Sequence, residues 1–421
     1  MSVRRCSTLP AHRGEIRAFS LADFAEIRGP ADVALHAALG SAEQSNTSVR
    51  YGDKLILKLF RRLERGPNVD YEMNRYLLQQ GGFRRVPRLA GALEYVSHDG
   101  DLVTLGMMQE FVPNQGDGWR NALEELERYY ERCTGQLAPP ASLLRDDRSV
   151  FAIAAEEIPE KVRDIVGLSL EWATTLGRRT AEMHVAVAQA TSDAAFAPEP
   201  ISSDDLARLA DNLTSLAGRS LELLAAGQAS LTEEVQAAAG RVLELRPLLL
   251  AELSSLKTIK PGMLKTRIHG DYHLGQVLMV ENDFLILDFE GEPARTLDER
   301  RQKYSPLKDV AGMLRSFSYA AYGALLHLSK RWTDVIPALK PWAALWETWT
   351  AAAFLQEYLA AAGDAPFVPR ELEDAERLLK AFAIEKALYE LAYEMDNRPT
   401  WMQIPLLGIL RLAEGEVDDG Y

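Results

Sequence analysis

The chain has 421 residues, 47% of them hydrophobic, with a formal net charge of -14 at pH 7 and a pI near 5.1. That length is enough for two or three lobes, each with its own core, and the acidic balance argues against DNA or RNA as a standing partner, since phosphate backbones call for a cationic surface. The two cysteines, Cys6 and Cys133, have the spacing of neither a metal site nor a disulfide framework and suit a reducing compartment. No apolar run reaches the roughly 18 residues of a membrane span, and residues 1–19 lack the apolar stretch of a secretory signal. The expectation is a cytoplasmic protein with neither a nucleic-acid nor a membrane partner.

Residues 1–28 are weakly periodic and read either as a ragged extension or as part of a sheet edge. A short helix is expected over Ala31 to Leu39. The polar, small-residue stretch Gly40 to Val49, with Ser45 and Thr47, then precedes Lys54-Leu55-Ile56-Leu57-Lys58-Leu59-Phe60. This is strand, turn, strand, with Lys58 among apolar neighbours; taken alone, Lys58 is equally readable as an exposed strand lysine. After Gly66-Pro67-Asn68 a helix from Val69 to Gln80 carries Glu72. A second hairpin runs from Arg88 to Val96 and from Leu102 to Phe111 around an Asp-Gly turn. The polar stretch Asn114 to Gly118 then marks the end of a small α/β lobe.

From Trp119 onward the pattern is helical. Helices are predicted over Leu123 to Cys133, Leu168 to Ala190, a pair within Asp204 to Leu256 broken at Gly240, Asp309 to Leu328, Trp332 to Ala362 and Glu371 to Met395. His184 lies on the apolar side of its helix and reads as a core histidine.

One stretch interrupts the helices, RIHGDYHLGQVLMVENDFLILDFEGE from Arg267 to Glu292. Val277 to Val280 and Phe284 to Leu287 are apolar runs joined by Glu281-Asn282-Asp283, hence a hairpin. The order His269, Asp271, Gln276, then Asp288-Phe289-Glu290 repeats the spacing of the kinase loop H-R-D-L-x-x-x-N followed by D-F-G. In that template the first Asp accepts the proton of the attacking hydroxyl, the amide and the second Asp hold magnesium, and a strand lysine neutralises the nucleotide phosphates. Asp271 is therefore the expected base, and Gln276 and Asp288 the metal ligands, oxygen donors suited to a hard cation. Lys58 is the phosphate lysine, with Glu72 its helix partner and Ser45 and Thr47 the phosphate-loop hydroxyls. Backbone groups of Glu110 and Val112 are expected to meet an adenine edge. Glu290 reads either as a further metal ligand or as a surface acid, and His269 as a brace for the loop. The expected cofactors are ATP and Mg2+. There is no G-x-x-x-x-G-K-[ST], no G-x-G-x-x-G at a strand-to-helix turn and no zinc-type Cys/His spacing.

The C-terminal region is rich in groups that suit a sugar: Trp342, Trp346, Trp349, Tyr389, Tyr393, Glu394, Asn397, Arg398 and Trp401. Tyr389 and Tyr393 are four apart and share a helix face, and the break at Asn397 to Trp401 is the expected contact region. His269 and His273 complete the substrate candidates.

The loop HGDYHLGQVL with LDFEGEP resembles the aminoglycoside-phosphotransferase-like kinases. Together with EQSNTSVRYGDKLILKLFRRLERGPNVDYEMNRYL and KALYELAYEMDNRPTWMQIPLLGI, it is most similar to the bacterial maltokinases. The resemblance covers about nine-tenths of the chain. It implies an α+β, two-lobed protein-kinase-like fold, with a nucleotide lobe over 1–113 and a helical lobe over 114–421. It further implies ATP- and magnesium-dependent phosphorylation of maltose at its anomeric hydroxyl, and a trehalose synthase as partner or fusion. Lys58 comes early for that family, which implies either a reduced N-terminal cap or a module cut from a fusion. Two alternatives stand beside it: a glucosamine or aminoglycoside kinase on the same fold, and a non-catalytic kinase-like module.

Overall fold

The computed structural model describes residues 5–40, 46–136, 138–144, 148–329 and 335–414. It divides into two compact units. One comprises Met1–Asp117, His269–Asp271 and Gln276–Gln302; the other comprises Gly118–Ile268, Tyr272–Gly275 and Lys303–Tyr421. The sequence reading placed the whole loop-and-hairpin stretch with the residues after 113. Most of it instead groups with the first unit, because its strand residues bond there: Ile286 N–H donates to the Arg85 carbonyl, and Gln115 and Gly116 pair with Met279.

The first unit is built on a seven-stranded antiparallel sheet in the order β1-β2-β6-β7-β5-β4-β3. Its strands are β1 (Arg5–Ala11), β2 (Gly14–Ser20), β3 (Ala37–Leu39), β4 (Asn46–Tyr51), β5 (Leu55–Phe60), β6 (Leu89–Ser97) and β7 (Leu102–Glu110). Helix α1 (Phe24–Arg28) follows β2, and α2 (Val69–Tyr76) follows β5. Residues near the N-terminus are thus sheet, with β1 at one edge. The helix expected over 31–39 is absent: residues 37–39 pair with β4 as β3. Val33 and Leu39 are 52% and 78% exposed and Leu35 packs only partly on the core, so little burial would reward a helix there, and ladder bonds decide the conformation. Helix α2 begins at Asn68, whose side chain accepts from the Asp70 and Tyr71 N–H groups, an N-cap of the usual kind.

The second unit is mainly helical. Its long helices are Gly118–Cys133, Leu168–Val187, Ser203–Gly227, Glu233–Glu244, Leu307–Leu328, Ile336–Ala362, Leu372–Asn397 and Gln403–Glu414. Gly240 does not break the chain as expected. It lies inside Glu233–Glu244, and the stretch holds three helices rather than a pair, Ser203–Gly227, Glu233–Glu244 and Arg246–Ser254, with breaks at Gln228–Thr232 and at Leu245. A glycine inside a helix costs only about 1 kcal/mol, which the packing there overrides. His184 is core: fully buried, its ring nitrogens meet Asp309 at 3.1 Å and Tyr358 at 3.0 Å. Among the described residues no helix is long and apolar enough to cross a membrane.

Helices Leu168–Val187 and Ile336–Ala362 touch backbone to backbone at Gly177, where an added Cβ would lie 2.2 Å from the Phe354 carbonyl oxygen. Backbone cannot swing aside as a side chain does, so the helices must part. Gly177→Ala is expected to destabilise the fold by about 1–3 kcal/mol, read as a lower denaturant midpoint. An unchanged midpoint would contradict this packing.

Candidate active site

The site is assembled from a strand, a helix start and a turn of the first unit. Along β5 side chains alternate faces, and Lys58 points to the side it shares with Ser48, its partner across the ladder. The Lys58 ammonium reaches Asp70 Oδ2 at 2.9 Å and Glu290 Oε1 at 2.8 Å, and also pairs with Asp288. Asp70 is fully buried. Besides Lys58 it accepts from the Phe289 N–H at 3.0 Å and from the Asn74 amide at 2.8 Å. Glu290 also accepts from the Asn46 amide at 2.6 Å.

The helix partner of Lys58 is Asp70, not Glu72. Two residues along a helix turn the side chain by about 200°, so the helix start that aims Asp70 at β5 sends Glu72 elsewhere. Glu72 is bound by Arg301 instead, at 2.6 Å. The phosphate-loop expectation also changes. Thr47 pairs across from Leu59 and so faces away from Lys58, accepting from Arg61 at 3.1 Å. Ser45 lies outside the described residues. Ser48 and Asn46 take the Lys58 face, and Ser48 Oγ is buried with no hydrogen-bond partner among the described residues. The Glu110 N–H donates to the Arg88 carbonyl, and the Val112 carbonyl accepts from the Asn114 side chain, so one backbone group of each residue already has a partner.

Asp288 begins a tight turn with φ +64°, left-handed backbone that is uncommon for any residue but glycine. Three contacts hold this strained start: the Phe289 N–H on Asp70, the Leu287 carbonyl at 2.7 Å from His269 Nε2, and the Phe289 ring 4.8 Å from the His269 ring. Nε2 facing a carbonyl must donate, which leaves Nδ1 to accept from the Asp271 N–H. His269 is buried and thus braces the loop; it is not placed to touch a substrate. Gly270 lies against Gly291, so backbone 269–271, with Asp271, runs beside the Asp288 turn. Gln276 bonds the Asp288 carboxylate.

Burial alone would push the Lys58 ammonium down, but Asp70, Asp288 and Glu290 outweigh it and hold its pKa well above the ordinary lysine value. Burial pushes Asp70 up to about 6 against the pull of Lys58. Asp288 is less enclosed, and Lys58, His269 and Gln276 overcome its desolvation and lower it. The two acids differ although they share one ammonium, because Asp70 is sealed and Asp288 is about a third exposed.

One carboxylate oxygen from each of Asp70, Asp288 and Glu290 lies within 4.8 Å of the others. Three carboxylates against one ammonium is a cation-binding balance, and oxygen donors of this kind suit Mg2+. Asp70 is committed to three partners, which leaves Asp288, Glu290 and Gln276 as the set best able to hold the ion.

Loop residues 272–275 belong to the second unit. Tyr272 is buried with its hydroxyl 2.9 Å from Thr180 Oγ1, and the Leu274 N–H donates to Ser316 Oγ at 3.0 Å. His273 accepts the Gly275 N–H at 3.0 Å through Nδ1. Of the sugar candidates in this unit, Trp342, Trp346 and Trp349 are core. Glu394 is buried and receives the Tyr319 hydroxyl at 3.1 Å and Arg398 at 2.6 Å. Arg398 lies 4.5 Å over the Trp401 ring, and Trp401 stacks on Tyr319. Tyr393 is 48% exposed beside Arg398, Asn397 bonds the Tyr393 carbonyl, and Tyr389 carries Lys386 over its ring. Glu394, Arg398 and Trp401 thus form one cluster.

The fold is the protein-kinase-like one. No family profile matches the chain. It is similar to a glucosamine kinase of Streptacidiphilus jiangxiensis, 26% identical over 386 residues, covering 90% of this chain and 73% of that protein. It is also similar to a glucosamine kinase of Mycolicibacterium smegmatis, 25% identical over 368 residues and covering 87% and 76%. Among solved structures, a glucosamine kinase in crystal form A superposes with a TM-score of 0.65 at 20% identity, covering 97% of this chain and 91% of that one. A glucosamine kinase in complex with glucosamine, ADP and inorganic phosphate gives 0.63 at 20% identity, covering 98% and 95%.

A cation held at the acidic cluster should stabilise the folded chain by about 2.7 kcal/mol when free Mg2+ is about a hundred times its dissociation constant. The unfolding midpoint is expected to rise on replacing EDTA with Mg2+, and Asp288→Asn to remove most of that rise. An equal rise in the variant would place the ion elsewhere.

Proposed function

We propose that this protein is an ATP-dependent sugar kinase that phosphorylates a hydroxyl of a small amino sugar of the glucosamine class. The observation that carries this reading is the cage of Asp70, Asp288 and Glu290 around Lys58, with Gln276 on Asp288. The buried, unpartnered Ser48 hydroxyl on the Lys58 face suits a phosphate-bearing ligand. Phosphoryl transfer asks for position and charge neutralisation, and this set offers both.

In this reading Lys58 binds nucleotide phosphate oxygens and is aimed by Asp70. Asp288, Glu290 and Gln276 would hold Mg2+, which neutralises the phosphate charge. Asp271 orients the acceptor hydroxyl and takes its proton, and His269 fixes the backbone that carries Asp271. The nucleotide machinery belongs to the first unit. In the second unit Arg398, about half exposed and held by the buried Glu394 and the Trp401 ring, offers hydrogen-bond donors for sugar hydroxyls.

The amino sugar is preferred to maltose because the similar curated proteins are glucosamine kinases. Maltose is the acceptor that the sequence resemblance implies and is the second reading. The relatives give no support to a trehalose synthase partner. A purely non-catalytic module is disfavoured by the complete set of Lys58, Asp271, Gln276 and Asp288.

The test is ADP release with glucosamine, maltose, glucose and kanamycin, with the phosphorylated carbon identified. Turnover is expected with glucosamine, and Asp271→Asn is expected to lower kcat by about 10²–10⁴-fold. Turnover with maltose alone would reverse the order of the two acceptors. Undiminished turnover in Asp271→Asn would remove the base assignment.

A further inference from the structure

Beyond the residues that repeat the kinase pattern, one buried charge is joined to the Asp288–Glu290 turn. Arg300 closes the short helix Leu297–Arg300, and its side chain is only 8% exposed. Nη1 donates to the Glu290 main-chain carbonyl at 3.2 Å and Nη2 to Glu64 Oε2 at 2.7 Å, while Nε is buried with no hydrogen-bond partner among the described residues. Its aliphatic stem lies 3.3–3.6 Å from where a Cβ on Gly291 would be, so it packs directly on a glycine of φ +69°. The neighbouring Arg301 binds Glu72 through two nitrogens. Glu72 is on α2, the helix whose Asp70 aims Lys58 and receives the Phe289 N–H.

The turn that presents Asp288 and Glu290 is therefore held from both sides. Its start is fixed by Asp70 and His269, and its end by Arg300. A left-handed Asp288 is costly unless its surroundings over-determine it, and a buried guanidinium bonded to a carbonyl is a strong restraint. We infer that Arg300, anchored by Glu64, is a positioning residue that sets the aim of the Asp288 and Glu290 carboxylates and so tunes the affinity for a metal–nucleotide complex. Arg301 and Glu72 tie the same segment to α2 and support the same geometry. This inference rests on the reading of Asp288 and Glu290 as metal-holding groups.

Partners that orient ligating residues from outside the ligand set typically change metal affinity or activity by about 10–100-fold, and Arg300 would do so through the Glu290 backbone. The experiment is calorimetric titration of ADP, in Mg2+ and in EDTA, into the wild-type protein, Arg300→Ala and Arg300→Lys, with unfolding midpoints recorded alongside. Arg300→Ala is expected to weaken ADP binding in Mg2+ by about 10–100-fold while leaving binding in EDTA as in wild type. Lysine keeps the charge but replaces the rigid planar fork with a single ammonium, so Arg300→Lys is expected to fall between; it answers the question if the alanine variant does not fold. Equal losses in Mg2+ and EDTA would reduce Arg300 to a general structural role and overturn the inference, as would no loss in either. A wild-type protein that binds no ADP in Mg2+ would overturn the kinase reading itself, a result separable from any difference between variants.

Discussion

The structure turns on one ammonium shared among acids. Lys58 sits on a sheet face, buried, and three carboxylates from a helix start and a loop turn meet around it. Burying that many charges is costly unless each is paired and hydrogen-bonded, and the surroundings supply this almost completely. Asp70 takes bonds from Lys58, Asn74 and Phe289, and Glu290 from Lys58 and Asn46. The acids still outnumber the cation. A folded protein holding such an imbalance is suited to a ligand that brings positive charge with it, and a magnesium–nucleotide complex brings both the metal and phosphates for the lysine.

The constraint spreads outward by hydrogen bonds. His269 links the strand end before Asp288 to the backbone of Asp271, so the expected base and the expected metal ligand are set by one imidazole. Just beyond Asp271, Tyr272 and Leu274 are fixed within the helical unit by Thr180 and Ser316. The loop thus has its chemistry-bearing ends, Asp271 and Gln276, in one unit and its middle, Tyr272–Gly275, in the other. Covalent continuity alone makes the position of these two side chains depend on how firmly the middle is held.

Much of this was legible in the sequence, for physical reasons. The spacing of Gln276 and Asp288 is local, and a hairpin of four-residue strands brings the two into hydrogen-bond reach. Period-two and helical patterns marked β5, the β6–β7 hairpin and most long helices. What stayed hidden depended on phase and on partners distant in sequence. Glu72 was a reasonable acid for Lys58, but the Asn68 cap sets the helix phase so that Asp70 faces the strand. Thr47 and Ser48 differ by one residue, and only the ladder register decides which shares the Lys58 face. Arg300 carries no signal at all in the chain, since its partners lie at Glu64 and Glu290. The tryptophans of Ile336–Ala362 suit a sugar by composition, yet a helix buried on nearly every side uses them as core. The resemblance read in the sequence implies maltose as acceptor, whereas the similar curated proteins are glucosamine kinases.

The central claim is that nucleotide phosphate and divalent ion meet at Lys58 and Asp288. It is tested most directly by measuring ATP binding to wild-type protein and to Lys58→Met, each with and without Mg2+. The account predicts tight binding only for the wild type with Mg2+, and a large loss in the variant. Equal affinity in the two proteins would place the nucleotide away from this lysine and contradict it.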